Sequence, residues 1–214
     1  MTRLILASSS PRRADLLRAT GIPFKVCSPR IQEYDGENSL RFSPRQIVIH
    51  NAMLKAEFVI GRFRHHWVLG ADTVVVLGRQ IFGKPHDTRE AGNMLRTLCG
   101  RTHRVITGAC LFRKGRKKRV FTVTTKVTFK HLSHAQIRRY LKLIHPLDKA
   151  GAYAAQEHAD RIIQRVEGSF SNVIGLPMER LIKELKMCLK SRLWNPPSLP
   201  RRGWGRSGQK AGPL

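Results

Sequence analysis

The sequence holds few carboxylates, and one of them stands where a carboxylate is expensive. Asp72 interrupts Trp67–Leu77, a run dominated by apolar residues. An aspartate there costs free energy unless it is paired, caps a turn or holds a metal ion. Three more acids, Glu33, Asp35 and Glu37, fall in one short loop. Candidate anion ligands occur elsewhere. Ser8-Ser9-Ser10-Pro11-Arg12-Arg13 would place two guanidinium groups in the first turn of a helix, where free backbone N–H groups already make the potential positive. Cations at that end make chemical sense if an anion sits there, and phosphate is the usual one. Lys84, between Gly83 and Pro85, lies on a rigid loop near a strand end, and Lys55 can reach the edge of an apolar helix stripe. Each feature has an ordinary alternative. Asp72 could end one strand and cap a turn, Arg12 and Arg13 could be solvated, and Lys55 could be a surface helix lysine.

The elements that must position these residues are written in local patterns. Leu4–Ala7 suits a strand buried on both faces, Ser10 an N-cap, Pro11 the first helical position and Gly21 the helix end. Phe24–Cys27 reads as a second strand. Ser43-Pro44-Arg45-Gln46 is a capping box opening a helix to about Val59, expected to bury Ile47, Leu54 and Phe58. Gly78-Arg79 is a two-residue hairpin of type II′ pattern, returning through Gln80–Phe82. Asp87-Thr88-Arg89-Glu90 opens another helix, burying Ala91, Met94, Leu95 and Leu98. Two long strands follow, His103–Phe112 and Val120–Phe129, then a short helix capped by Ser133 and Gln136. Pro146–Gln156 is rich in small residues, which allow a backbone to approach a ligand and serve tight packing equally well. Ile162–Val166 is a strand candidate, and Pro177 begins a last amphipathic helix. Alternating strands and helices with long hairpins imply an α/β fold with a mixed sheet.

Composition bounds the rest. The chain of 214 residues can form one sizeable domain or two small lobes. Four separated cysteines (Cys27, Cys99, Cys110, Cys188) suggest reduced, mostly buried thiols. The first apolar run is too short for a signal-peptide core, and no stretch approaches the roughly 18 to 20 apolar residues of a membrane span, so a soluble, cytoplasmic protein is expected. Forty Lys and Arg against fourteen Asp and Glu give a formal charge of +26, a field that favours nucleic acid and anionic small molecules. The charge concentrates in Arg113–Arg119, read as a hairpin turn, and in the Pro/Gly-rich residues 190–214, which carry Trp194 and Trp204 and are expected to be disordered. Both are solvated surface or a non-specific nucleic-acid contact. No G-x-G-x-x-G, P-loop or G-x-S-x-G is present, and the His65-His66 and His131/His134 pairs suit a basic surface better than a metal site.

Taken together, Ser8–Arg13, Gly70-Ala71-Asp72-Thr73-Val74-Val75, Gly83-Lys84-Pro85, Leu147-Asp148-Lys149-Ala150-Gly151-Ala152-Tyr153, Glu167-Gly168 and Asn172–Pro177 resemble the Maf family of nucleoside triphosphate pyrophosphatases. The resemblance runs in order over about residues 3–190, marking a domain of residues 1–189 and a separate tail. It implies an α/β fold with a curved mixed sheet and two lobes around a nucleotide cleft, often dimeric, so a homodimer is expected. It implies hydrolysis of a nucleoside triphosphate between the α- and β-phosphates with a divalent cation, Mg²⁺ or Mn²⁺. Asp72 then matches the general base, Glu33 and Asp72 the metal ligands, and Arg13, Lys55 and Lys84, with the helix turn after Ser10, the phosphate-binding groups. Lys149 could support them from behind. Arg12, Thr73 and Gln156 match the specificity positions of the branch resembling dTTP/UTP pyrophosphatases rather than the 7-methyl-GTP branch, and an amide at 156 suits a uracil or thymine edge. Gln32 and Glu157 depart from the family pattern, one beside the metal position and one beside the base. The rival from another class is a nucleic-acid-associated or division-regulating protein working through its basic surface.

Overall fold

The structure, a computed structural model, describes residues 4–34 and 42–189. Asp35 and Glu37 of the acidic loop, and the tail of residues 190–214, lie outside the described residues. Strand β1 (Leu4–Ala7) is wholly buried and leads into α1 (Pro11–Arg18), after which Gly21 turns the chain with φ +70°. Then come β2 (Phe24–Val26), α2 (Pro44–Ile60), β3 (Trp67–Leu77), β4 (Gln80–Phe82) and α3 (Thr88–Leu98). The chain continues through β5 (Thr102–Phe112), β6 (Arg119–Phe129), α4 (His134–Leu141), α5 (Ala159–Ile162), β7 (Ile163–Glu167), α6 (Phe170–Ile174) and α7 (Met178–Leu189). The seven strands form one mixed sheet in the order β2-β1-β3-β5-β6-β7, with β4 also on β3. This is the α/β class expected, with helices packed on the sheet.

The pairing around β3 makes room for a site. β5 occupies one edge of β3 from Val68 to Val76. Parallel β1 takes Trp67 to Gly70 on the other edge, and antiparallel β4 takes Val75 to Leu77. Residues 71–74 therefore meet no strand on that second edge. An exposed ladder edge must find other partners, and here side chains supply them. Asp72 lies inside a continuous strand, so it does not end one.

Helix α2 lies close against β3 and β5. A β-carbon on Gly70 would stand 2.1 Å from the Ala52 carbonyl oxygen, and one on Gly108 2.5 Å from that of Val48. So close an approach requires small side chains between the layers. The buried face is Ile47, Val48, Asn51, Ala52, Lys55, Ala56 and Val59; of the three residues expected there, Ile47 is buried, Leu54 is half-buried and Phe58 is 43% exposed. The other face of the sheet carries the larger cluster, including Leu69, Leu95, Leu98, Leu111 and Phe129, each fully buried. Each such side chain contributes about 1.5–3 kcal/mol by leaving water.

Local caps form where the sequence places them. Ser43 and Gln46, and Ser133 and Gln136, form reciprocal capping boxes. Asp87 accepts from the Glu90 amide at 2.7 Å, while Glu90 reaches back to the His86 amide. Ser10 occupies the N-cap position without a side-chain cap, its amide donating instead to Ser8 Oγ at 3.2 Å. The short helices α5 and α6 lack sequence signals long enough to be read. All four cysteines are free, but only Cys110 is buried. No described helix is long and apolar enough to cross a membrane.

Candidate active site

The open edge of β3 faces a cavity of about 150 Å³ lined by Ser10, Arg12, Arg13, Glu33, Lys55, Asp72, Thr73 and Lys84 among others. Eight of the nine residues singled out by sequence thus converge. Gln156 is exposed and does not line the cavity, although Ala155 beside it does.

The centre of the site is one ammonium. Lys55, brought inward on the close-packed face of α2, donates to Glu33 Oε2 at 2.6 Å, to Asp72 Oδ1 at 2.9 Å and to the Ala71 carbonyl at 3.3 Å. These use its three donors. Asn51, one turn earlier on the same face, donates to Asp72 Oδ2 at 3.0 Å and clamps the backbone of Tyr34 through both ends of its amide. Asn51 thus orients Asp72 and anchors the loop that carries Glu33. Its one signal in the sequence is its place four residues before Lys55, the two being the polar members of a buried face that is otherwise apolar. Burial pushes the Asp72 carboxyl up, but Lys55, Arg13 and the Asn51 amide outweigh it and hold the group below the ordinary carboxylate value.

Arg13 is buried behind this centre. Its guanidinium donates to the carbonyls of Gly175 and Ala71, each at 2.9 Å, to Thr73 Oγ1 at 3.0 Å and to Ser8 Oγ at 3.4 Å. Of five N–H groups one, on Nη2, is left for a ligand. Arg13 therefore ties α1 and the turn after α6 to the open edge of β3 more than it reaches into the cleft. Burial lowers its pKa, opposed by Asp72 and Glu33. Thr73 turns to the opposite face from Asp72, where its hydroxyl meets Thr107 Oγ1 at 3.0 Å. Asn172, fully buried, supports Thr107 through its carbonyl at 3.4 Å.

At the mouth, Arg12 is held by Asp148, through both the carboxylate and the backbone carbonyl. Lys149, itself buried, donates to Asp148 Oδ1 at 2.7 Å and to the His145 carbonyl at 2.8 Å. Burial raises the Asp148 pKa, but its hydrogen bonds to Lys149 and Arg12 bring it below the ordinary value. Nothing in the sequence around Asp148 announces this role. Lys84 is exposed on the rim. The amides of Arg12 and Arg13 precede the first intrahelical bond, from Ala14 to Ser10, and remain as donors at the positive end of α1.

Chemically, this is a cleft where two carboxylates meet beside cations and helix amides. Glu33 Oε2 and Asp72 Oδ1 converge on the Lys55 ammonium, and the two carboxylates are hard donors of the kind that Mg²⁺ or Mn²⁺ takes, with water and phosphate oxygens to complete the shell. Among the described residues no group of three or more His, Cys, Asp and Glu is assembled. Two carboxylates with a polyphosphate fit such an ion better than an all-protein cage.

A family model described as "Maf-like protein" matches residues 3–188. A dTTP/UTP pyrophosphatase of Akkermansia muciniphila is 43% identical over 180 residues, 84% of this chain and 93% of the relative. A Bacillus cereus protein of the same name is 41% identical over 186 residues, 87% of this chain and 95% of its own. Among solved structures, the Staphylococcus aureus Ham1 protein aligns with a TM-score of 0.44 at 13% identity, covering 87% of this chain and 97% of that one.

Proposed function

The chain belongs to the Maf family, and from that premise we propose that it hydrolyses dTTP and UTP, with modified pyrimidine forms, to the monophosphate and pyrophosphate. The observation that carries the reading is the ammonium of Lys55 joining Asp72 to Glu33 on the open edge of β3, beside the N-terminus of α1. Removal of modified nucleotides before they enter nucleic acid is the role that such an activity serves.

In the reaction, water attacks the α-phosphorus and gives its proton to Asp72, whose pKa keeps it ionised and ready to accept. The bond from the α-phosphorus to the bridging oxygen breaks, and its electron pair leaves on pyrophosphate. Lys55 has two competing acceptors here. As it turns from Asp72 to a phosphate oxygen, it relieves the charge on that oxygen and leaves Asp72 a stronger base. Lys84 and the amides of Arg12 and Arg13 meet the outer phosphates, while Arg13 mainly holds the edge in place. A divalent cation on Glu33 and Asp72 would neutralise phosphate charge. Arg12 and Thr73, which line the cleft, would select the base, with Gln156 contributing from the surface beside Ala155.

The reading extends to a cytoplasmic homodimer, to a catalytic domain of residues 1–189, and to non-specific nucleic-acid contact through the basic surface and tail. Purified protein is expected to release pyrophosphate from dTTP and UTP in preference to 7-methyl-GTP, and Asp72→Asn to abolish release. Preference for 7-methyl-GTP would move the assignment to the sister branch. Undiminished turnover by the Asn variant would remove Asp72 from the chemistry.

A further inference from the structure

One wall of the cleft is built from an irregular segment with unusual backbone. Gly151 and Ala152 stand in succession at φ +70° and +62°, a region alanine seldom enters. Such a conformation persists only where its surroundings hold it. The Gly151 amide donates to the Gly83 carbonyl at 2.9 Å, and that of Ala152 to the Lys149 carbonyl at 3.1 Å. A β-carbon on Gly151 would stand 3.1 Å from Val75, so the segment is pressed against β3. It continues through Tyr153, Ala154 and Ala155, all lining the cavity, to Gln156 at the surface.

Two tyrosine hydroxyls fix this wall from behind. Tyr140, on α4, is 2% exposed and does not line the cavity. Its hydroxyl accepts from the Ala154 amide at 3.0 Å and donates to the Ala154 carbonyl at 3.3 Å. Tyr153 meets Nε2 of His103 on β5 at 3.1 Å, and the Phe129 ring packs edge-on against both. A single oxygen thus satisfies both backbone groups of a buried residue in the wall.

We infer that Tyr140 is a positioning residue for nucleotide choice, acting through Ala154 on the wall that meets the base. The inference rests on the hydrolase reading above. The charged side chains of the cleft suit a polyphosphate, whereas Val75, Val105, Ala154 and Ala155 offer the uncharged surface that a planar ring requires. Displacement of Ala154 moves that surface and the attachment of Gln156 together, without touching Asp72 or Lys55.

Tyr140→Phe keeps the ring and deletes the oxygen. Steady-state kinetics with UTP and ATP are expected to show a higher KM for UTP and a fall of about fivefold in the UTP-over-ATP ratio of kcat/KM, the worth of one hydrogen bond. The kcat for UTP should change by less than about twofold, since the bond is made equally in ground and transition states. An equal loss for both nucleotides, or an unchanged ratio, overturns the inference. If Tyr140→Phe fails to fold, the ratio is measured with 3,5-difluorotyrosine at position 140, which keeps the hydroxyl in place and weakens it as acceptor of the Ala154 amide; a fall in the ratio supports the inference and an unchanged ratio overturns it. If the wild type cleaves neither nucleotide, the hydrolase reading fails by itself. Calorimetric Kd values for the α,β-methylene analogues of UTP and ATP then decide the positioning role by their ratio in wild type and variant, and binding of neither analogue overturns both.

Discussion

Nζ of Lys55 lies 2.9 Å from Oδ1 of Asp72, with the two side chains only 5% and 10% exposed. The pair is held on three sides by Glu33, Asn51 and the Ala71 carbonyl. Such a pair is poor evidence of stability as a unit, because both charges have lost their water. Loss of one partner is another matter.

Lys55→Met would leave Asp72 buried with no ammonium, at a cost of about 3–5 kcal/mol. Asp72→Asn should cost clearly less, since Lys55 keeps Glu33 and the Asn51 side could be met by an amide. Urea unfolding of both variants at neutral pH checks the order. A methionine variant as stable as the asparagine variant would show that Lys55 is not what compensates Asp72.

Acid should weaken the fold in two steps. His103 is 1% exposed, its Nδ1 has no partner among the described residues, and burial lowers its pKa from 6.5 to about 4. Tyr153 is the titratable group against it, and Phe129 covers it. Between these values the unfolded chain binds a proton that the folded chain refuses, so stability falls as pH drops from 6.5 towards 4 and this contribution then levels off. The loss is on the order of 3 kcal/mol. Glu184 moves oppositely in origin: burial raises its pKa, but Arg119 and Arg180 hold it below its ordinary 4.5. Its contribution is present above that value and disappears as pH falls through the lowered one. Unfolding free energies from pH 7.5 to 4 in wild type and His103→Gln test the first step, and an identical slope in both would exclude His103 as its source.

Legibility follows the range of the interactions. The capping boxes at Ser43 and Ser133 and the hairpin at Gly78 are plain because their partners lie within four residues. The convergence of Glu33, Lys55 and Asp72 comes through family likeness, since no spacing announces that a helix and a loop will meet one strand edge. Asn51 escapes notice because an isolated asparagine on a helix looks like surface until Gly70 and Gly108 are seen to draw α2 onto the sheet. The same packing turns Phe58 outward against the expected stripe. Arg13 is expected to grip phosphate. Four of its five donors serve the protein: one meets the Ala71 carbonyl in the gap between β1 and β4, and the others meet Gly175, Thr73 and Ser8 around it.

Asp148 should matter to the substrate more than to the fold. Its pair with Arg12 is partly exposed, 21% and 48% for the two side chains, so its direct contribution to stability stays below about 1 kcal/mol. Arg12, however, sits in the first turn of α1, where the helix dipole repels it and the carboxylate offsets that repulsion. Asp148→Asn keeps an acceptor and removes the charge, freeing the guanidinium from the place it holds at the cleft mouth. The KM for UTP should rise by about three- to tenfold with kcat nearly constant, as expected when binding is lost equally from ground and transition states. Asp148→Glu should recover part of the loss, because it restores the charge at a longer reach. Steady-state kinetics on the three proteins, with thermal melts to confirm folding, provide the check. A KM unmoved by Asp148→Asn would mean that Arg12 finds its working position without this partner.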